Sequence, residues 1–295
     1  MTGMDRYAVI GNPVEHSRSP FIHAQFALAT GQVMSYARLA CPMDGFEAAV
    51  LRFAQGSARG CNVTVPFKFQ APRLAARITE RATLAGAANT LRFDAEGWLA
   101  DNTDGVGLVR DIEANAGVAL RGRRILLLGA GGAAAGALDP LLAAQPAALV
   151  VANRSAARAQ ALVGRFAARA ARLDVPLSAA PLEAPGAEFD VLINATAASL
   201  QAAVPVLPAG TLRAGALALD MMYGAASAPF LGWARAQGAV ARDGLGMLVE
   251  QAAEAYFLWC GVRPDTFAVR TALRREVDAQ SAAHAPATAA GATPA

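Results

Sequence analysis

Residues 125–136 read Ile-Leu-Leu-Leu-Gly-Ala-Gly-Gly-Ala-Ala-Ala-Gly, an apolar run that breaks into glycines and then into helix-forming alanines. This order predicts a buried strand, a tight turn and a helix in direct succession. The first N–H groups of a helix lack intrahelical partners and carry partial positive charge, so such a turn attracts a phosphate. Gly129 permits the turn, Gly131 lets a pyrophosphate approach the backbone, and a small residue further on lets the helix pack on the strand. Strand-like runs recur at 125–128, 148–152, 191–195 and 217–221, with helical stretches between them. Alternation of that kind predicts an α/β fold with a parallel, doubly wound sheet of the Rossmann type.

The second strand of this unit ends at Asn153-Arg154-Ser155-Ala156-Ala157-Arg158, where Asn153 lies 24 positions after Gly129. A dinucleotide fold meets the adenosine ribose here, and an Asp or Glu would select NAD. This chain has no carboxylate at that point but two arginines, whose planar forks suit phosphate oxygens. The expected cofactor is therefore NADP(H).

The chain has 295 residues, enough for two domains with cores of their own. Hydrophobic residues make up 55%, but the longest run without a polar side chain is the 14 residues from Ile125 to Leu138, too short to span a bilayer. Met1 to Arg6 has no signal-peptide pattern, so a cytoplasmic location with no membrane partner is expected. The net charge is +3 and the basic residues are scattered, which argues against nucleic acid. Cys41, Cys61 and Cys260 are an odd set without CxxC spacing, so neither a disulfide framework nor a metal site is expected.

The N-terminal part reads as strands near 6–10, 35–41 and 61–65, and helices at 19–30, 44–55 and 80–85. Ser19 would cap the first of these helices, with Pro20 in its first turn and Gly31 at its stop. Capping leaves Ser17 unexplained, and two hydroxyls at that junction could also clasp a carboxylate. Lys68 falls just past the C-terminal end of a strand closed by Pro66, the edge where such sheets present ligand sites. A hairpin is expected over 87–93 and 98–101. Asp104 precedes a periodic segment, Val106 to Ala116, and would serve as its N-cap. Pro140 should kink or restart the helix that contains it. Two helices close the chain, 243–260 and 265–279, and Ser281 to Ala295 has too little bulky apolar surface to fold.

Taken together, several stretches resemble the shikimate dehydrogenase family: His16-Ser17-Arg18-Ser19-Pro20, Asn62 to Lys68, Gly86 to Thr90, Asp101-Asn102-Thr103-Asp104-Gly105, Gly129 to Ala133, Asn153-Arg154-Ser155 and Asp243 to Gln251. They occur in one order from Tyr7 to about Ala272. The resemblance implies a substrate domain of residues 1–104 plus 245–279 and an NADP-binding domain of 105–244; composition leaves 280–295 as a disordered tail. It implies that Ser17, Ser19, Thr64 and Tyr223 hold a substrate carboxylate, while Asn62, Asn89, Asp104 and Gln251 bind ring hydroxyls. Lys68 and Asp104 would form the acid/base pair. Gly129, Ala130, Gly131, Gly132, Ala133, Asn153, Arg154, Ser155, Arg158, Met221 and Gly244 would line the cofactor, with Glu80 near its nicotinamide side.

The activity implied is reversible NADPH-linked reduction of 3-dehydroshikimate to shikimate by a monomer or homodimer. Alternatives are a quinate/shikimate dehydrogenase with NAD or mixed cofactor use, and an NADP-binding sensor without chemistry. Arg154 and Arg158 speak against NAD, and the presence of both Lys68 and Asp104 speaks against a sensor.

Overall fold

The computed structural model describes residues 4–197 and 203–283, with side chains described as far as residue 280. The first sheet contains β1 (Asp5–Gly11), β2 (Met34–Ala40), β3 (Ala58–Val63), β4 (Arg77–Ile78), β5 (Thr90–Arg92) and β6 (Leu99–Asp101), in the order β2-β1-β3-β5-β6-β4. β1 pairs parallel with β2 and β3, whereas β5 runs antiparallel to both β3 and β6 as the expected hairpin. Helices α1 (Ser19–Thr30), α2 (Phe46–Phe53) and α3 (Glu80–Ala85) accompany this sheet. Gly31 stops α1 in a left-handed conformation, as its position suggests.

A short helix, α4 (Asp104–Arg110), leads to the second sheet. Its strands are β7 (Arg124–Leu128), β8 (Ala148–Asn153), β9 (Leu177–Pro181), β10 (Phe189–Asn194), β11 (Leu212–Asp220) and β12 (Val240–Arg242). All pair in parallel, in the order β12-β11-β10-β7-β8-β9, so the winding reverses between β7 and β10. Ligands of open α/β sheets bind outside the strand ends at that switch point. The continuous apolar run of β7 follows from burial on both faces. Ile125 and Leu127 pack with α5 (Gly132–Ala143) and α6 (Ala156–Arg172), while Leu126 and Leu128 pack on the opposite face with Phe230 of α7 (Ala228–Ala236).

The last helices, α8 (Leu245–Cys260) and α9 (Phe267–Ala283), return to the first sheet. Leu245, Val249, Ala252 and Tyr256 of α8 join Ile22 and Phe26 of α1 and Leu273 of α9 in one core. α8 also lies directly on α4. A Cβ on Gly107 would stand 2.5 Å from the Gln251 nitrogen, so only glycine permits this approach.

Four expectations need revision. The edge strands β9 and β12 went unread, being short and only partly apolar. α5 runs through Pro140 without restarting. Proline leaves the Gly136 carbonyl without its i+4 donor, and that carbonyl packs against α4, 2.3 Å from where a Cβ on Gly105 would be. The segment 106–116 is not one α-helix but α4 followed by a π-turn, Asp111–Asn115. α9 continues to Ala283, past the expected end at Ala279, and the rest of the expected tail, 284–295, lies outside the described residues. No described helix is long and apolar enough to cross a membrane.

Candidate active site

Between the C-terminal edges of the two sheets lies a cavity of about 450 Å³. Ser17, Ser19, Asn62, Thr64, Lys68, Asn89, Asp104, Tyr223 and Gln251 all line it, and so do Ala133, Met221 and Gly244 from the nucleotide side. Residues far apart in the chain thus meet in one place.

Lys68 reaches this cavity because Pro66 ends the extended chain after β3 and a single 3-10 turn, Phe67–Phe69, follows. Phe67 anchors the turn: it is fully buried and stacks on Phe46 with centroids 4.8 Å apart. The Lys68 Nζ donates to Asp104 Oδ2 at 2.6 Å, with the two side chains 28% and 11% exposed. Asp104 is the first residue of α4 and Thr103 occupies the cap position, so the expected capping role of Asp104 does not hold. Its carboxylate is turned into the cavity instead, in the first helical turn where the dipole favours an anion.

Asn89 is the hub behind this pair. Its Nδ2 donates to Asp104 Oδ1 at 2.8 Å and lies within reach of Thr103 Oγ1 and Gln251 Oε1, at 3.0 and 3.3 Å. Its Oδ1 accepts from the Thr103 amide at 2.9 Å and from Thr90 Oγ1 at 3.0 Å. Thr90 and Thr103 were not singled out from the sequence, although both sit beside residues that were. Gln251 Nε2 donates to the Leu248 carbonyl at 2.8 Å, which orients its oxygen toward Asn89.

Ser19 makes no capping hydrogen bond, and Arg18 takes the cap position of α1. Ser17 Oγ accepts instead from the Ser19 amide at 3.3 Å, so both hydroxyl groups stay at the cavity wall. Arg38 fixes this loop through two donors, Nε and Nη2, to the Ser17 carbonyl at 3.0 and 2.7 Å. Burial pushes the Tyr223 phenol up, Arg18 partly offsets this and Asp243 adds to it, so its hydroxyl is a donor at neutral pH.

On the nucleotide side, Gly129 adopts φ 107°, the left-handed region that a side chain disfavours. Gly131 caps α5 facing open space, with nothing within 4 Å of where a Cβ would stand. Ala130 and Gly132 complete the turn, and a Cβ on Gly132 would stand 3.1 Å from the Phe69 ring. Gly244 cannot carry a side chain either, because its Cβ would lie 2.4 Å from the Met221 carbonyl oxygen. At the end of β8, Asn153 Nδ2 donates to the Ser155 carbonyl at 3.0 Å, and Arg154 and Arg158 stand exposed beside the N-terminus of α6. An open glycine cradle at a helix start, followed by two exposed guanidinium groups, fits a dinucleotide with an added phosphate.

Glu80 is not among the residues that line the cavity. Its carboxylate accepts from Arg172 at 2.5 Å and faces Arg169 at 3.8 Å, both in the last turns of α6. Ser155 sits at the opposite end of that helix, so Glu80 is tied to the C-terminal end of α6 and a place near the nicotinamide remains an expectation.

Residues 9–91 match the family described as the shikimate dehydrogenase substrate binding domain. Residues 112–205 match the shikimate / quinate 5-dehydrogenase family, and 244–274 the shikimate 5'-dehydrogenase C-terminal domain. The shikimate dehydrogenase (NADP(+)) of Methylibium petroleiphilum is 62% identical over 280 residues, covering 93% of this chain and 95% of that protein. The chain belongs to the shikimate dehydrogenase family. Among solved structures of similar fold is an Ael1 enzyme from Pseudomonas putida, with TM-score 0.84 and 51% identity over 91% of this chain and 98% of that one. Another is the shikimate 5-dehydrogenase of Thermus thermophilus in complex with NADP(H) and shikimate, with TM-score 0.79 and 32% identity over 92% and 99% of the two chains. Membership of the shikimate dehydrogenase family accounts for the division seen here, a substrate-binding sheet facing a nucleotide-binding one across the cavity.

Proposed function

We propose that this chain catalyses the reversible NADPH-linked reduction of 3-dehydroshikimate to shikimate. The observation that carries the reading is the Lys68–Asp104 pair, 2.6 Å apart, in a cavity shared with the glycine loop of a nucleotide-binding sheet. NADPH, when bound along Gly129–Ala133, supplies the hydride. The ketone oxygen of the substrate then becomes an alkoxide and needs a proton at once. Lys68 Nζ stabilises the growing negative charge and donates that proton. In the reverse direction the amine takes the proton back from the shikimate hydroxyl.

Asp104 supplies the counter-charge beside the half-buried lysine and accepts from a neighbouring substrate hydroxyl. Ser17, Ser19, Thr64 and Tyr223 offer hydroxyl donors to the substrate carboxylate. Asn62, Asn89 and Gln251 meet its ring hydroxyls. Asn153, Ser155, Arg154 and Arg158 hold the ribose and its phosphate, while Met221 and Gly244 shape the nicotinamide side.

The domain limits that fit this division are 1–104 plus 245–279 for substrate and 105–244 for cofactor. The three free thiols suit a reducing, cytoplasmic setting, and a monomer or homodimer is the form proposed. The test is the rate of reduced-cofactor formation with shikimate or quinate against NADP or NAD. Shikimate with NADP should be the fastest of the four; a faster rate with quinate or with NAD would favour the broader quinate/shikimate activity.

A further inference from the structure

Asn62 stands at the cavity wall, yet its amide is nearly saturated by the protein itself. Nδ2 donates to the Asn89 carbonyl at 3.2 Å and to Thr90 Oγ1 at 3.0 Å. A backbone carbonyl can only accept, so the nitrogen must face it, and this settles which end of the amide is which. On the other side, the Tyr36 hydroxyl donates to Asn62 Oδ1 at 2.6 Å. Tyr36 belongs to β2 and does not line the cavity.

The tyrosine is itself held in place. Its ring lies flat on the imidazole of His23, with centroids 4.2 Å apart and planes within 7°. His23 is fully buried, and its ring nitrogens make no well-formed hydrogen bond among the described residues, the amide of Asn62 being a weak polar neighbour. Burial pushes His23 down to about 3, so it is a neutral platform at working pH. Burial likewise raises the Tyr36 phenol well above its ordinary value, which keeps its proton in place for donation.

We propose that Tyr36 is a positioning residue for substrate recognition, acting through Asn62. With both amide hydrogens engaged and one lone pair of Oδ1 taken by Tyr36, the other lone pair is what Asn62 has left to present to a ligand. Asn62 therefore accepts a hydrogen bond from a substrate hydroxyl and has no donor to give a carbonyl or ether oxygen. The pair selects a substrate bearing a hydroxyl at that point of the ring. The proposal rests on the reading of the cavity as a shikimate site.

Steady-state shikimate oxidation with NADP tests it in four proteins: wild type, Tyr36→Phe, Asn62→Ala and the double variant. Tyr36→Phe keeps the ring and its stack while removing the donor. It should raise the shikimate KM roughly 3- to 10-fold, the range of one hydrogen bond, with kcat and the KM for NADP within about twofold. In the Asn62→Ala background the same change should cost clearly less than in wild type, leaving only what the contact of Tyr36 with Ser19 contributes, the signature of two residues that act together.

An unchanged KM in Tyr36→Phe would overturn the proposal. So would an equal rise in the Asn62→Ala background, which would give Tyr36 a role of its own. A parallel loss of kcat and NADP affinity, or a collapsed thermal melt, would make Tyr36 a general structural residue and overturn it as well. Absence of shikimate oxidation in the wild type would instead defeat the functional reading, and is seen before any variant is compared.

Discussion

Lys68 and Asp104 form an ion pair of 2.6 Å whose carboxylate is simultaneously held by Asn89 at 2.8 Å. The arrangement leaves the lysine a charged partner and the carboxylate a fixed direction. Transferring a lone charge into a poorly solvated cavity is costly, and pairing offsets that cost. Asn89 in turn is held by Thr103 and Thr90, so the geometry of the reacting groups is set by a connected hydrogen-bond network.

Discrimination between the two nicotinamide cofactors should reside at the end of β8. Arg154→Ala is expected to raise the KM for NADPH by roughly tenfold to a hundredfold, the range of charge-assisted contacts to a phosphate, and the KM for NADH by less than about twofold. Parallel kinetics with the two cofactors check this, and equal effects on both would remove Arg154 from phosphate recognition.

Glu80 provides the opposite case. Because its carboxylate is engaged by Arg172 and Arg169, Glu80→Gln should leave the KM for NADPH within about twofold of wild type. A rise of tenfold or more would return Glu80 to the cofactor site.

His23 gives the protein an acid sensitivity. Its ordinary value of about 6.5 applies in the unfolded chain, whereas burial lowers it to about 3 in the fold. The unfolded state thus binds a proton that the folded state refuses, and stability present above pH 6.5 is lost as pH falls toward 3. The slope is about 1.4 kcal/mol per pH unit for one such group. His23→Phe should remove that slope. Urea midpoints measured at several pH values in both proteins test this, since other acid-sensitive groups are common to both. Parallel curves for wild type and variant would show that His23 does not titrate as its burial requires.

The junction of α4, α8 and β12 depends on a missing side chain. A Cβ on Gly246 would lie 1.8 Å from Asp111 Oδ1. That buried carboxylate is pinned by Arg242, whose Nε and Nη2 donate at 2.9 and 2.5 Å, and by Asn115 at 2.9 Å. Gly246→Ala should cost about 1–3 kcal/mol and lower the melting midpoint by roughly 3–10 °C. A melt indistinguishable from wild type would mean that the carboxylate moves aside freely.

Features governed by local backbone needs were legible in the sequence. The turn at Gly129 and Gly131, the stop at Gly31 and the hairpin over 87–101 each follow from what a few neighbouring residues permit. Ser19 and Asp104 were legible as important but misread as caps, because the cap positions belong to the residues just before them, Arg18 and Thr103. Pro140 is tolerated within α5 because the carbonyl it leaves free meets α4, a tertiary contact no local rule contains. Glu80 needed the far end of α6 to be placed in space. Tyr36 sits in an ordinary strand, and only the fold reveals that it touches Asn62.

Lys68 is the residue proposed to supply the proton for the reduced ketone. The direct measurement is kcat for Lys68→Ala in both reaction directions, together with the dissociation constant for shikimate. The variant's kcat should fall roughly 10²- to 10⁴-fold, the span for a lost acid/base group, with shikimate still bound. Turnover equal to wild type would contradict that role.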